Sequence, residues 1–204
     1  MSESWTRIEN WLAQHAPAAY AALAPPATPV EIAETERIIG APLLRPLVAS
    51  LLRHNGLVGG RFTLLPGYFE PLSAREIADA WKSLTPYHDQ SLTEEEEADA
   101  DDDFLTSGFG SYVLYGHPDM IPFARDNSGQ RLVLDHRRWS DRGRVHETDP
   151  ADGLRRVAHD AWKSLPALLE GMADALETGR PLNGYMPAVD EEGGLCWDFE
   201  RRWL

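Results

Sequence analysis

The sequence predicts an α+β domain: N-terminal helices, a central and mostly antiparallel curved sheet, and a long C-terminal helix packed on that sheet. Three observations predict it. The first half carries two helix starts of the same kind, Thr28-Pro29-Val30-Glu31 and Ser73-Ala74-Arg75-Glu76, each a Ser or Thr followed three residues later by Glu. A block of short β-rich segments separated by turn residues follows, from Ser111 to Glu147. A one-sided apolar stripe then runs from Leu154 to Thr178.

Taken in order, Trp5, Ile8, Leu12 and His15 recur at spacings of three and four, so Trp5–Leu23 reads as a one-faced helix stopped by Pro25-Pro26. Thr28 is the N-cap of the next helix, Pro29 its first residue, and Gly40 its left-handed cap. A third helical piece spans Pro46–Arg53 and ends at His54-Asn55-Gly56. Phe62–Leu65 is a short strand candidate before the turn residues Pro66-Gly67. The helix capped by Ser73 is lined by Ile77, Trp81 and Leu84, and Thr93–Asp103 is a charge run read as an exposed, mobile loop.

Strand candidates are Ser111–Tyr115, Met120–Ala124 and Arg131–Asp135, with Arg144–Glu147 as a further one. Asp126-Asn127-Ser128-Gly129 reads as the hairpin turn between the second and third of these. Pro122 cannot donate to a ladder, so it is expected at a strand start or edge. Trp162, Leu165, Leu169, Met172 and Leu176 line the last helix, which Gly179 and Pro181 end. Leu195–Phe199 is the last strand candidate, with Trp197 expected to anchor the edge. Nothing reads as a repeat or an interdomain linker. The expectation is one domain over 1–204, with a core at about 5–179, an acidic insertion at about 93–103 and a tail at 180–204.

With 204 residues, 43% of them hydrophobic, the chain is long enough to bury a good core. No run approaches the length of a membrane span, and Met1–Asn10 lacks the basic-then-apolar pattern of a secretory leader. Cys196 is the single cysteine, which excludes an internal disulfide framework and suits a reducing, cytoplasmic setting. The net charge of −14 argues against direct binding to nucleic acid, because phosphates are repelled. More than half of that charge lies in one place: Glu94, Glu95, Glu96, Glu97, Asp99, Asp101, Asp102 and Asp103. Arg125–Arg144 runs the other way, with six Arg against Asp126, Asp135 and Asp141.

Several motifs, in order, carry a family resemblance. They are the Glu31-Ile32 helix with Glu36, Pro42-Leu43, Leu51-Leu52-Arg53-His54-Asn55-Gly56, Leu64-Leu65-Pro66-Gly67, and Leu72-Ser73 with Ile77 and Trp81. The fullest is Ile121-Pro122-Phe123-Ala124-Arg125-Asp126-Asn127-Ser128-Gly129-Gln130 followed by Leu132-Val133-Leu134-Asp135, and Val157-Ala158 precedes the final helix. Together these resemble the Smi/Knr-like (SUKH) superfamily of fungal cell-wall-assembly regulators and bacterial immunity proteins, over roughly residues 5–179. Two departures stand out: Met120 replaces the Trp usual before Ile-Pro, and Glu94–Asp103 looks like an insertion. The resemblance implies a non-catalytic protein-binding domain. Its motif residues have folding reasons of their own, since Asn-Gly and Asp-Asn-Ser-Gly are turn formers, so the signature reads as scaffold and transfers no active site.

A search for chemistry returns little. Nucleophile-elbow, zinc-protease and phosphate-loop patterns are missing from the sequence, and Gly108-Phe109-Gly110 lacks the third glycine of a dinucleotide loop. Cys196 beside Trp197 reads as a small packed residue rather than a nucleophile. His117, Asp119, His136 and His146 fall in the strand region without metal-ligand spacing, and Asp99–Asp103 lacks the spaced ligands of a calcium loop. No cofactor or metal is expected, and no catalytic residue is assigned.

Two binding faces remain as expectations. The first is the acidic run Glu94–Asp103, which suits a basic protein partner such as a nuclease toxin. The second, alternative face is Arg131, Arg137, Arg138 and Trp139, which suits an anion or acidic peptide, against a plainer reading of Arg solvating one strand face. Trp5, Trp11, Trp81 and Trp162 read mostly as core, with one of them available as an anchor. The leading function is toxin neutralisation by occlusion; the alternatives are a regulatory or scaffold module and, behind both, an enzyme.

Overall fold

The computed structural model describes residues 2–59, 63–88, 93, 115–137, 142–150, 153–156 and 162–199, of which 154–156 are described by their backbone only. The fold is α+β. Its first helix, α1 (Ser2–His15), buries Trp5, Ile8 and Leu12, the face that the three-four spacing marks. It does not continue to Leu23. Pro17 supplies no N–H to the helix, and Ala16 before it leaves the helical region (φ −134°, ψ 65°), so a separate short helix α2 (Pro17–Ala21) begins there.

Helices α3 (Pro29–Ile39) and α5 (Ala74–Leu84) start as their sequences predict. Thr28 Oγ1 accepts from Glu31 N–H while Glu31 Oε2 accepts from Thr28 N–H at 2.7 Å. Ser73 and Glu76 make the same reciprocal pair. Gly40 ends α3 in the left-handed conformation (φ 79°). The two helices lie side by side, joined by the buried Thr35 hydroxyl, which donates to Ala74 O at 2.7 Å. Between them in sequence, α4 (Arg45–Leu51) is two residues shorter at its C-terminal end than the span that ends at Arg53.

Among the described residues the main sheet has five antiparallel strands in sequence order. They are β1 (Glu70–Pro71), β2 (Met120–Arg125), β3 (Arg131–Asp135), β4 (Val145–Asp149) and β5 (Gly153–Arg156). Ile121, Phe123, Ala124, Leu132 and Leu134 are buried, and α5 packs against β2. Pro122 sits inside β2, outside the stretch that pairs with β1, and is matched with Val133, while the register shift between Pro122 and Ala124 leaves Phe123 as the bulged residue. Asp126 organises the β2–β3 turn: its Oδ1 accepts from Ser128 N–H and Gln130 N–H, with Gly129 at φ 99°.

Two sequence expectations are corrected. Residues 154–156 are not the start of the last helix; they form β5, where Leu154 pairs with Thr148, and that helix, α6, spans Leu165–Thr178. Leu65 makes an isolated bridge to Phe69 rather than continuing a Phe62–Leu65 strand; Phe62 itself lies outside the described residues. Leu195–Phe199 forms as the expected strand, β7; it pairs with β6 (Tyr185–Val189) in a separate two-stranded sheet, with Trp197 fully buried. The expected strand Ser111–Tyr115, Tyr115 excepted, the run Glu94–Asp103, Gly108–Gly110 and Val157-Ala158 lie outside the described residues.

Helices and both sheets share one hydrophobic core. α6 packs most closely on α1 and also touches α4 and β6. The β6–β7 ribbon is fastened at two points, its middle and its turn. Trp197 Nε1 donates to Leu64 O at 3.1 Å, and Gly193 O at the ribbon's turn accepts from Ala18 N–H at 3.0 Å at the start of α2.

Candidate partner-binding surface

Of the alternative basic face, two members are described, and they lie differently. Arg131, half-buried at the start of β3, donates through Nη1 to Gly129 O at 3.0 Å. Arg137, just past β3, is turned inward: it is 5% exposed and donates through Nη2 to Asp135 Oδ2 at 2.8 Å. As placed, its guanidinium serves the interior rather than a partner. Arg138 and Trp139 lie outside the described residues, as do Glu94, Glu95, Glu96, Glu97, Asp99, Asp101, Asp102 and Asp103.

The Asp135 corner is the most buried charged constellation among the described residues. Asp135 Oδ1 accepts from the Arg137 N–H at 2.8 Å, and Oδ2 lies 3.7 Å from His146 Nε2, a ring with no exposed surface. Burial by itself would push the Asp135 carboxyl up, but the adjacent His146 ring and the hydrogen bonds and charge of Arg137 outweigh it and hold the group well below the usual carboxylate range. Next to it, His136 Nε2 is buried with no hydrogen-bond partner among the described residues, and Arg142 Nη1 donates to its carbonyl at 2.6 Å. Burial, helped by the Arg142 charge, pushes the His136 imidazole down to about 4. Asp119 and His136 are joined through the backbone, His136 N–H to Asp119 O, and His117 takes the Asp119 N–H on Nδ1. No group of three or more metal-ligating side chains converges among the described residues. This is a neutralised structural corner.

A second ion cluster forms where the His54-Asn55-Gly56 motif meets α1. Arg53 clamps Glu9 with two bonds of 2.5 Å, and the ring of His54 bridges Glu9 Oε1 (2.8 Å) and Ala24 O (2.9 Å). The Arg53 hydrogen bond is the main reason that the Glu9 carboxyl is held low. Asn55 Oδ1 accepts from Ala74 N–H at 2.7 Å, and a Cβ on Gly56 (φ 80°) would stand 2.7 Å from Ser73 N. The motif is therefore a clasp between the end of α4 and the start of α5. Sequence alone shows the turn but not this clasp, because every partner is distant in the chain.

The remaining features lie at the surface. Cys196 is half-buried on β7, where burial, with Asp198 and Asp190 nearby, raises its thiol. An open groove between α3 and α5 is lined by Val30, Ile38, Arg75 and Lys82. Trp5 and Trp162 belong to the core, while Trp11 and Trp81 are partly buried against it. Among the described residues, no helix is long and apolar enough to cross a membrane.

A family model described as SMI1 / KNR4 family (SUKH-1) matches residues 26–165, more than half of the chain. The match takes in α3, α4, α5 and the five-stranded sheet. No curated protein matches the chain.

Proposed function

The chain belongs to the SMI1/KNR4 (SUKH-1) family, and from that premise we propose that it is a non-catalytic, immunity-type binding domain that neutralises a protein toxin by covering it. The observation that carries the reading is the family match over 26–165. The fate of the motif residues supports it. Asn55 and Gly56 close the α4–α5 clasp, Asp126 builds a turn, and Asp135 is committed to Arg137. Residues used in this way leave partner choice to the segments between the motifs.

On this reading the acidic run Glu94–Asp103 is the partner-facing segment. Eight carboxylates in ten residues present a field that draws in a basic surface, such as the nucleic-acid cleft of a nuclease. Steering of this kind raises the association rate and weakens with salt. Arg131, Arg138 and Trp139 form the alternative face.

The test is to assay any nuclease toxin found encoded beside this chain, at rising ratios of this protein. Activity is expected to fall to background near one equivalent. With all eight carboxylates of the run replaced by amides, inhibition should need a higher concentration, most clearly at low salt. A matched nuclease left fully active by excess protein rules out the reading for that pair. Capture of housekeeping proteins in place of a toxin would favour a regulatory module.

A further inference from the structure

The chain has four asparagines, and two of them, Asn55 and Asn183, are followed by glycine. An asparagine amide is open to attack by the backbone nitrogen of the next residue, and a glycine there puts no side chain in the way. The two Asn-Gly pairs are alike in sequence and opposite in setting.

Asn55 is held. Its Oδ1 accepts from Ala74 N–H at 2.7 Å, its Nδ2 donates to Glu31 Oε1 at 3.4 Å, and a Cβ on Gly56 would stand 2.7 Å from Ser73 N. The rotation that ring closure demands would have to break the α4–α5 clasp. Asn127 and Asn10 are held by other means. The N–H after Asn127 donates to Asp126 Oδ1 at 2.9 Å, and Asn10 lies within α1, where the next N–H belongs to the helix ladder.

Asn183 is not held. With Gly184 it makes the two-residue turn that leads into β6, at φ 53° and 81°, closed by Leu182 N–H to Tyr185 O at 2.9 Å and Tyr185 N–H to Leu182 O at 3.0 Å. Positive φ at both central residues suits Asn-Gly, so folding accounts for the pair. Among the described residues neither the Asn183 side chain nor the Gly184 N–H has a hydrogen-bond partner. A Cβ on Gly184 would come no nearer than 3.8 Å, to the Phe199 ring, so the backbone nitrogen has space to move.

We propose that Asn183 is a self-modification site. The Gly184 backbone nitrogen loses its proton and bonds to Asn183 Cγ, the Cγ–Nδ2 bond breaks and ammonia leaves with that proton, and water opens the cyclic imide to aspartate or isoaspartate. Water is the only co-reactant. Isoaspartate carries one extra methylene in the main chain, so the two bonds that close the turn are not both kept, and Tyr185 at the head of β6 loses its tie to Leu182.

The test ages the full chain at mildly alkaline pH and body temperature, digests it at intervals and reads the peptides by mass spectrometry. The peptide holding Asn183 should gain about one mass unit at least about tenfold faster than the peptide holding Asn55, where reaction waits for the clasp to open. In strong denaturant the two should convert at similar rates, since glycine follows both. Amide exchange at Tyr185 should quicken as the chain ages. Asn183→Gly keeps the left-handed turn and has no amide to react, so its mass and its Tyr185 exchange should not change with age. Equal rates at Asn55 and Asn183 in the folded chain, or an Asn183 that converts only in denaturant, would overturn the proposal.

Discussion

Replacing Asp135 with Asn keeps the shape of the side chain and removes its charge. In the native chain Oδ1 accepts from Arg137 N–H, Oδ2 accepts from Nη2 at 2.8 Å, and Nε reaches both oxygens at 3.2 Å. Both side chains are almost fully buried, at 1% and 6% exposed. The amide turns an NH2 toward a guanidinium or toward His146 and leaves a buried cation without its counter-charge. Removing one member of a buried pair costs about 3–5 kcal/mol. Urea unfolding followed by tryptophan fluorescence measures this, with Trp162 and Trp197 buried as reporters. For a slope of about 2 kcal/mol per molar, the midpoint should fall by roughly 2 M with the slope unchanged. The pH dependence gives a second reading. The folded Asp135 carboxyl is held below its unfolded value, so its stabilisation is complete above about pH 4 and is lost as pH falls further toward the folded value. The Asn variant should lack that component of acid sensitivity. A midpoint within about 0.3 M of the parent would refute the buried-pair argument.

His136 should act in a higher pH window. Its imidazole is held at about 4, against 6.5 when unfolded, so stability erodes as pH drops below 6.5 and stops eroding near 4; His136→Gln should remove about 2 kcal/mol of the loss between pH 7 and 5, and parallel unfolding profiles would contradict this. Gly56→Ala should destabilise by several times the ~1 kcal/mol of an ordinary Gly change, since its Cβ would meet backbone at 2.7 Å, and a parent-like unfolding midpoint would count against the clasp. Ser73→Ala should cost about 1 kcal/mol in the same measurement, because Glu76 N–H loses its acceptor and the reciprocal bond loses its frame.

Local rules made the caps and the tight turn of the fold legible. Caps at Thr28 and Ser73 and the Asp126–Gly129 turn are decided by residues within a few positions, and each forms as the sequence predicts. Elements whose partner is distant were not legible. β6 carries Pro187 and pairs only because β7 lies beside it, while residues 154–156 become a strand because β4 offers them a free edge. Pro17 is the exception, since the break it imposes on α1 was visible in the sequence and was outweighed by the apolar spacing. The candidate site was less legible still. Whether an Arg after β3 meets solvent or Asp135 is settled by the corner that folds around it.

The ribbon's fastening has a consequence for synthesis. α1 and α2 are made before Gly193, whose carbonyl takes the Ala18 N–H, and before Trp197, whose indole donates to Leu64 O. Until those segments are made, α1 lacks α6, on which it packs most closely, and α2 lacks its bond to the ribbon turn. Folding of this chain is therefore a closing event rather than a progressive one, and an early stop before β7 yields a product with an open seam.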